Sequence, residues 1–179
     1  MLHFRQAVSA DAETITQLAN SAYRGEASRA GWTTEADLLD GFRTSAGEIQ
    51  RLIESEHAII LLCLSGADLV GSVCLEHEQD AAHIGMFVVN PVLQGRGVGK
   101  QLLIAAENLA QQTWQVETLR MHVITLRHEL IAFYERRGYQ RTGILSEFPV
   151  NPAVWQPKVA GLKLELIEKN ITKQSVAVA

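Results

Sequence analysis

Three glycines alternate with other residues in Gln94-Gly95-Arg96-Gly97-Val98-Gly99-Lys100, among them two cations. An apolar β-type run, His83 to Val89, enters this stretch through Asn90-Pro91, and an amphipathic helical run leaves it near Gly99. Glycine takes positive φ readily and lets a ligand approach the main chain. Several amide N–H groups can then converge where a helix begins and its dipole is positive. The chemistry this suits is anion binding. A phosphate or pyrophosphate is the natural guest, with Arg96 and Lys100 adding charge. The plain alternative is a glycine-rich strand-to-helix turn.

Three phosphate-loop patterns compete for the stretch. Walker A needs G-x-x-x-x-G-K-[ST]; positions 94 and 101 are both Gln, so Gly99-Lys100 fails it twice. A dinucleotide fingerprint starting at Gly95 needs glycine at position 100, which is Lys. The pattern that fits is Q-x-x-G-x-G, filled by Gln94, Gly97 and Gly99. With the incoming strand and Asn90-Pro91, it resembles the acyl-CoA pyrophosphate loop of the GNAT superfamily of N-acyltransferases.

A second segment carries the same resemblance. Phe133-Tyr134-Glu135-Arg136-Arg137-Gly138-Tyr139 is similar to the family's F-Y-E-x-x-G-[FY] segment. The resemblance implies that Tyr134 lies near the acyl-CoA sulfur and protonates the departing thiolate. A phenol can supply that proton or a hydrogen bond; the alternative is a tyrosine that anchors its helix in the core. The resemblance also implies a slot where the strand before the loop splays from its parallel neighbour, beside a β-bulge. There the backbone of Phe87, Val88 and Val89 would meet pantetheine and the thioester carbonyl, and main-chain N–H groups would hold the oxyanion.

Two positions depart from the family. Many members carry Asn where this chain has Arg127, which could reach a phosphate instead. Many carry Glu as general base where this chain has His83. A neutral imidazole can take that role near neutral pH; otherwise His83 is a half-exposed strand residue, and Glu76 and His77 are rival bases. In this family, acceptor recognition falls largely to the region after the first helix and to a late hairpin, which points to 23–43 and 148–158. Glu35 could receive an ammonium there, and Trp32 could stack on an acceptor, with Arg43 beside them. Their alternatives are a first-turn charge for Glu35 and a helix staple for Trp32.

The surrounding elements must position these groups. Leu2–Val8 reads as a strand. Ser9 caps a helix whose Ile15, Leu18, Ala19 and Ala22 share a face. Thr33 or Thr34 caps a second helical region with Leu38, Leu39 and Phe42 on its apolar side. Gly41 and Gly47 break it, leaving a second piece near 45–54. Ala58–Leu64 and Leu69–Glu76 form a hairpin that sets Cys63 opposite a residue near Val70, and Cys74 opposite one near Ile59. Leu102, Leu103, Ala106, Leu109 and Ala110 mark a helix ending near Gln112. A strand at 117–124, a helix at 127–137 stopped by Gly138, and a strand at 139–145 follow. Residues 148–157 hold three of the four prolines and read as a loop; 161–167 is the last strand. This order does not alternate as a doubly wound fold would. It gives an α/β (α+β) fold: a mixed, mostly antiparallel central sheet with a splayed parallel pair, flanked by helices, as in the GNAT fold. One domain is expected over 1–169, with a flexible tail over 170–179.

The chain has 179 residues and a net charge of −4, which disfavours a nucleic-acid partner. No apolar run reaches membrane-spanning length, no secretory leader begins the chain, and the two cysteines read as reduced core residues. The expected site is cytoplasmic. The resemblance implies acetyl-CoA as acyl donor, no metal, and a small-molecule or peptide amine as acceptor; a homodimer is compatible with it. Two other classes remain on the sequence: a non-catalytic acyl-CoA-binding module, and a nucleotide-phosphate hydrolase, which the failed Walker A pattern disfavours.

Overall fold

The amphipathic runs become helices laid on both faces of one sheet. In the computed structural model, which describes residues 1–149 and 151–171, β1 (Leu2–Gln6) precedes α1 (Ala12–Tyr23). Then come β2 (Leu39–Gly41), α2 (Ala46–Glu54), β3 (Ala58–Ser65), β4 (Asp68–Glu78) and β5 (Ala81–Val89). The second half holds α3 (Val98–Trp114), β6 (Thr118–Ile124), α4 (His128–Glu135), β7 (Gln140–Glu147), β8 (Trp155–Pro157) and β9 (Lys163–Asn170). Seven strands form a sheet in the order β1-β3-β4-β5-β6-β9-β7, and β2 pairs with β8 in a two-stranded ribbon. Within the large sheet only β5 and β6 run parallel. This is the mixed, mostly antiparallel sheet expected.

Each face has its own core. Leu102, Leu103, Ala106 and Ala110 of α3, with Ile131 of α4, pack on Cys63, Val73, Leu75, Ala82, Ile84 and Leu119. Opposite, Ile15 of α1 and Ile49 of α2 pack on Ile60, Leu62, Cys74 and Met86. Fully buried side chains such as Leu102, Ile49 and Leu75 each contribute roughly 1.5–3 kcal/mol relative to exposure. Tyr139 ties the second half together. Its hydroxyl donates to Glu107 at 2.9 Å, and Lys169 holds the other Glu107 oxygen at 2.7 Å, linking α3, β9 and the turn after α4.

Several local expectations are corrected. No helix forms over 33–42; the segment makes turns and then β2, whose Leu39, Asp40 and Gly41 pair with Pro157, Gln156 and Trp155. Gly41 has φ 91°, and a side chain there would run into the Val154 carbonyl, so this glycine serves a close strand approach rather than a helix break. Phe42 is exposed instead of apolar-facing. The second piece does form, as α2, with the Ser45 hydroxyl accepting from the Glu48 N–H. Ser9 does not cap α1; the Asp11 carboxylate accepts from the Val8 N–H at 2.8 Å and pairs with Arg5. The segment expected as a plain loop holds β8, with Pro149 and Pro152 before the strand and Pro157 its last residue. Cys63 faces Gly71, and Cys74 faces Ile60, one position from the expected register. β9 runs to Asn170, which pairs with Thr118, so the expected tail does not begin there. Residues 172–179 lie outside the described residues. No helix among the described residues is long and apolar enough to cross a membrane.

Candidate functional site

The cleft begins where the parallel pair opens. Ala81, Ala82 and His83 of β5 pair with Thr118, Leu119 and Arg120 of β6, and the ladder ends there. On its other edge β5 carries a bulge against β4: Cys74 faces Gly85 while Ser72 faces Val88, so Met86 and Phe87 stand opposite Val73. Met86 takes φ 42°, an uncommon angle for a side-chain-bearing residue. The bulge bends β5, and from Ile84 to Val89 the strand has no ladder partner on the β6 side among the described residues.

The glycine stretch follows at the mouth of this gap. The Asn90 side chain accepts from the Val92 N–H at 3.2 Å and seats a short 3₁₀ turn, Pro91–Leu93. Gly97 is left-handed, with φ 85°, and stands immediately before α3. Gly95 is also positive, at φ 77°, and open space surrounds both. The helical ladder begins with the Gln101 N–H donating to the Gly97 carbonyl. The N–H groups of Val98, Gly99 and Lys100 therefore have no partner within α3, and they sit at the positive end of its dipole. Arg96 and Lys100 are exposed beside them. Gly99 is helical; a side chain there would touch Phe133, Val89 and Phe87. Gln94 braces the loop: its carbonyl accepts from the Trp32 N–H at 3.0 Å and its amide donates to the Val89 carbonyl at 3.2 Å.

Two cavities meet across the gap. One, of about 380 Å³, is lined by the loop glycines, Lys100, Phe87, Val88, Val89, Trp32, Phe133, Arg136 and Arg137. The other, of about 480 Å³, lies toward β6 and β8 and is lined by His83, His122, Glu35, Arg24, Arg43, Met86 and Trp155. Tyr23, Phe87, Arg127, Leu130 and Tyr134 border both. Tyr134 is buried, and the rings of Phe87, Phe133 and Tyr139 meet its own edge-on with centroids 6.3, 5.3 and 5.7 Å away. Burial pushes its phenol well up, so it is protonated at neutral pH.

Some expected residues are placed otherwise. Arg127 is buried. It donates to Glu35 at 3.0 Å and to the Thr33 hydroxyl at 2.7 Å, so it stands between the cavities rather than at the loop. Glu35 is not on a helix; Arg24 and Arg127 take its two oxygens, at 3.4 and 3.0 Å. Trp32 borders the loop-side cavity and not the second, because Gln94 holds its N–H and its ring packs 5.6 Å from Phe133. Glu76 is exposed across the ladder from His83, and its carboxyl is raised, first by partial desolvation and then by Glu78 and Glu48. Arg43 lies 5.3 Å over the Tyr23 ring.

Four features escaped the sequence reading. The Tyr23 hydroxyl donates to the Phe87 carbonyl at 3.2 Å, fixing the bulged backbone. His122 sits 3.2 Å from His83, imidazole nitrogen to imidazole nitrogen. Burial holds His83 below the ordinary histidine value, and His122 and Arg43 push the same way while Glu78 opposes. Arg136 and Arg137 add cations to the loop-side cavity; Arg137 lies 3.4 Å over the Phe133 ring. Arg24 supplies a buried cation to the second cavity. The adjacent arginines before Gly138 were the one local signal; the other contacts join distant segments.

A bulged, splayed parallel pair with a helix N-terminus at its mouth leaves two cavities, one at the glycine loop and one beyond the junction. A sequence model of the acetyltransferase (GNAT) family matches residues 13–139. The chain belongs to that family. Solved structures agree on the fold. The ribosomal-protein-S18-alanine N-acetyltransferase of Escherichia coli is 14% identical, with a TM-score of 0.71 over 100% of this chain and 99% of that one. An N-acetyltransferase from Thermoplasma acidophilum in complex with coenzyme A is 16% identical, TM-score 0.67, over 96% and 99%. A chimeric spermidine N-acetyltransferase built in part from Vibrio cholerae is 18% identical, TM-score 0.68, over 94% and 95%. No curated protein matches the chain in sequence.

Proposed function

We propose that the protein is a cytoplasmic N-acetyltransferase that moves an acetyl group from acetyl-CoA to an amine by direct attack in a ternary complex. The observation that carries this reading is the Tyr134 side chain, which borders both cavities at their junction. The loop side fits an acyl-CoA. The N–H groups of Val98, Gly99 and Lys100, unpartnered within α3, suit a pyrophosphate, and the open space at Gly95 and Gly97 lets it approach. Arg96, Lys100, Arg136 and Arg137 add charge. Acetyl-CoA supplies an activated acyl group on a thiol leaving group. The backbone of Phe87, Val88 and Val89, which has no ladder partner on the β6 side among the described residues, offers main-chain groups along the gap, and N–H donors there would stabilise charge developing on the thioester oxygen. Tyr134, held protonated by burial, donates toward the departing sulfur. On the acceptor side His83, held neutral, takes the amine proton directly or through water.

The test is thiol release from acetyl-CoA with a panel of amines, comparing wild type and Tyr134→Phe. The variant keeps the ring and its packing. Its kcat should fall on the order of 10²-fold with KM for acetyl-CoA little changed. A raised KM with intact kcat would reduce Tyr134 to a contact. Acetyl-CoA binding with no thiol release for any amine would favour the non-catalytic acyl-CoA-binding module.

A further inference from the structure

We infer that the acceptor is a small amine that also carries a carboxylate, and that Arg43 receives that carboxylate; this rests on the acetyltransferase reading. The charges in the wall of the acceptor-side cavity do not balance. Arg24, Arg43 and Arg127 line it, and Glu35 is the carboxylate set among them. Glu35 already bonds Arg24 and Arg127, so three guanidiniums face one carboxylate. Glu147 also borders the cavity, but its side chain is 80% exposed and lies 3.8 Å from Lys163.

The excess is not explained by the loop side. Arg24, Arg43 and Glu35 border the acceptor-side cavity alone, whereas the loop side has its own cations and N–H groups. Arg24 and Arg127 are 6% and 7% exposed, and the Arg127 Nε has no hydrogen-bond partner among the described residues. Arg43 is half-buried on the Tyr23 ring and makes no ion pair within 4.0 Å among the described residues. Glu48 of α2 and Glu76 of β4 lie on its side of the sheet without reaching that distance. A guanidinium out of bulk water gains most from a planar oxyanion bound by two parallel N–H groups. A cavity of about 480 Å³ matches a small molecule.

The same wall also acts on the amine. Neighbouring positive charge disfavours an ammonium and favours its free base. A zwitterionic amine can dock its carboxylate on Arg43 and present a nitrogen that loses its proton more readily toward His83. A polyamine would bring only cations to a positive wall.

Matched ligands test this without turnover. N-acetylmethionine, N-acetylphenylalanine and N-acetylglutamate, each against its α-amide, are titrated calorimetrically into the protein saturated with CoA. At least one acid should bind about tenfold or more tighter than its amide. Arg43→Gln should abolish that preference and Arg43→Lys should keep part of it, with unfolding midpoints near wild type because the half-buried Arg43 side chain makes no ion pair among the described residues. Equal binding of acids and amides, no binding across the panel, or a preference that survives Arg43→Gln overturns the inference. Acetyl-CoA is titrated separately. If it does not bind, the acetyltransferase reading falls and this inference with it; if it binds without a carboxylate preference, this inference alone falls.

Discussion

At the scale of single residues, His83 and His122 are the groups whose behaviour is most open to measurement. His83 lies on β5 between Glu76 of β4 and His122 of β6, with Glu78 and Arg43 also acting on it. Burial is the largest influence and lowers its affinity for a proton in the folded state. The unfolded chain then binds more protons near the ordinary histidine value of about 6.5, so stability rises with pH through that range and is lost as pH falls. Denaturation midpoints of wild type should drop between about pH 7 and pH 5 more than those of His83→Gln. The same substitution should remove the acid limb from the pH profile of kcat/KM. A parallel pH dependence of stability in both proteins would deny that His83 is held neutral. Local sequence exposed Tyr134 and the loop glycines because their meaning lies in neighbours a few positions away. His122, Tyr23 and Arg24 were not legible, since each gains its role by meeting a residue on another element. Glu35 and Trp32 were picked out, but their partners, Arg127 and Gln94, lie far along the chain.

Between elements, the β3–β4 hairpin makes a sharp statement about its thiols. Cys63 packs among residues under α3, and Cys74 packs among residues under α1 and α2, on opposite faces of one sheet. No rotamer joins them. Burial raises Cys63 to about 11 and Cys74 to about 12, so both are unreactive thiols when folded. A thiol reagent should label neither quickly in native protein and both in denaturant without prior reduction. A disulfide recovered from unreduced protein would contradict the sheet. The hairpin, α3 and the β5-loop-α3 unit were legible because short turns and strong periodicity specify them. The segment 33–42 was not. Its threonines and Glu35 imitate a helix start, but a long-range pairing with β8 decides its shape, and no local pattern carries that information. The one-residue slip in the cysteine register has a similar origin: a bulge between Cys63 and Leu64 shifts the ladder.

Across the whole molecule, the order of strands creates the site. Placing β6 beside β5 in parallel, and then separating them past His83, opens the sheet between two cavities. That placement was implied by the family resemblance, whereas the junction at Tyr134 and the arginine-rich wall of the second cavity needed the folded chain. The central claim is that the glycine loop and the N-terminus of α3 bind the pyrophosphate of an acyl-CoA. Isothermal titration with acetyl-CoA, with ATP as the comparison ligand, tests it on wild type and Gly97→Val. A valine at Gly97 has space but must hold φ 85°, so the loop should lose the geometry that aims its N–H groups. Wild type should bind acetyl-CoA well above ATP, and the folded variant should lose at least about tenfold in affinity. Unchanged acetyl-CoA affinity in folded Gly97→Val, or ATP binding as tight as acetyl-CoA, would contradict the account.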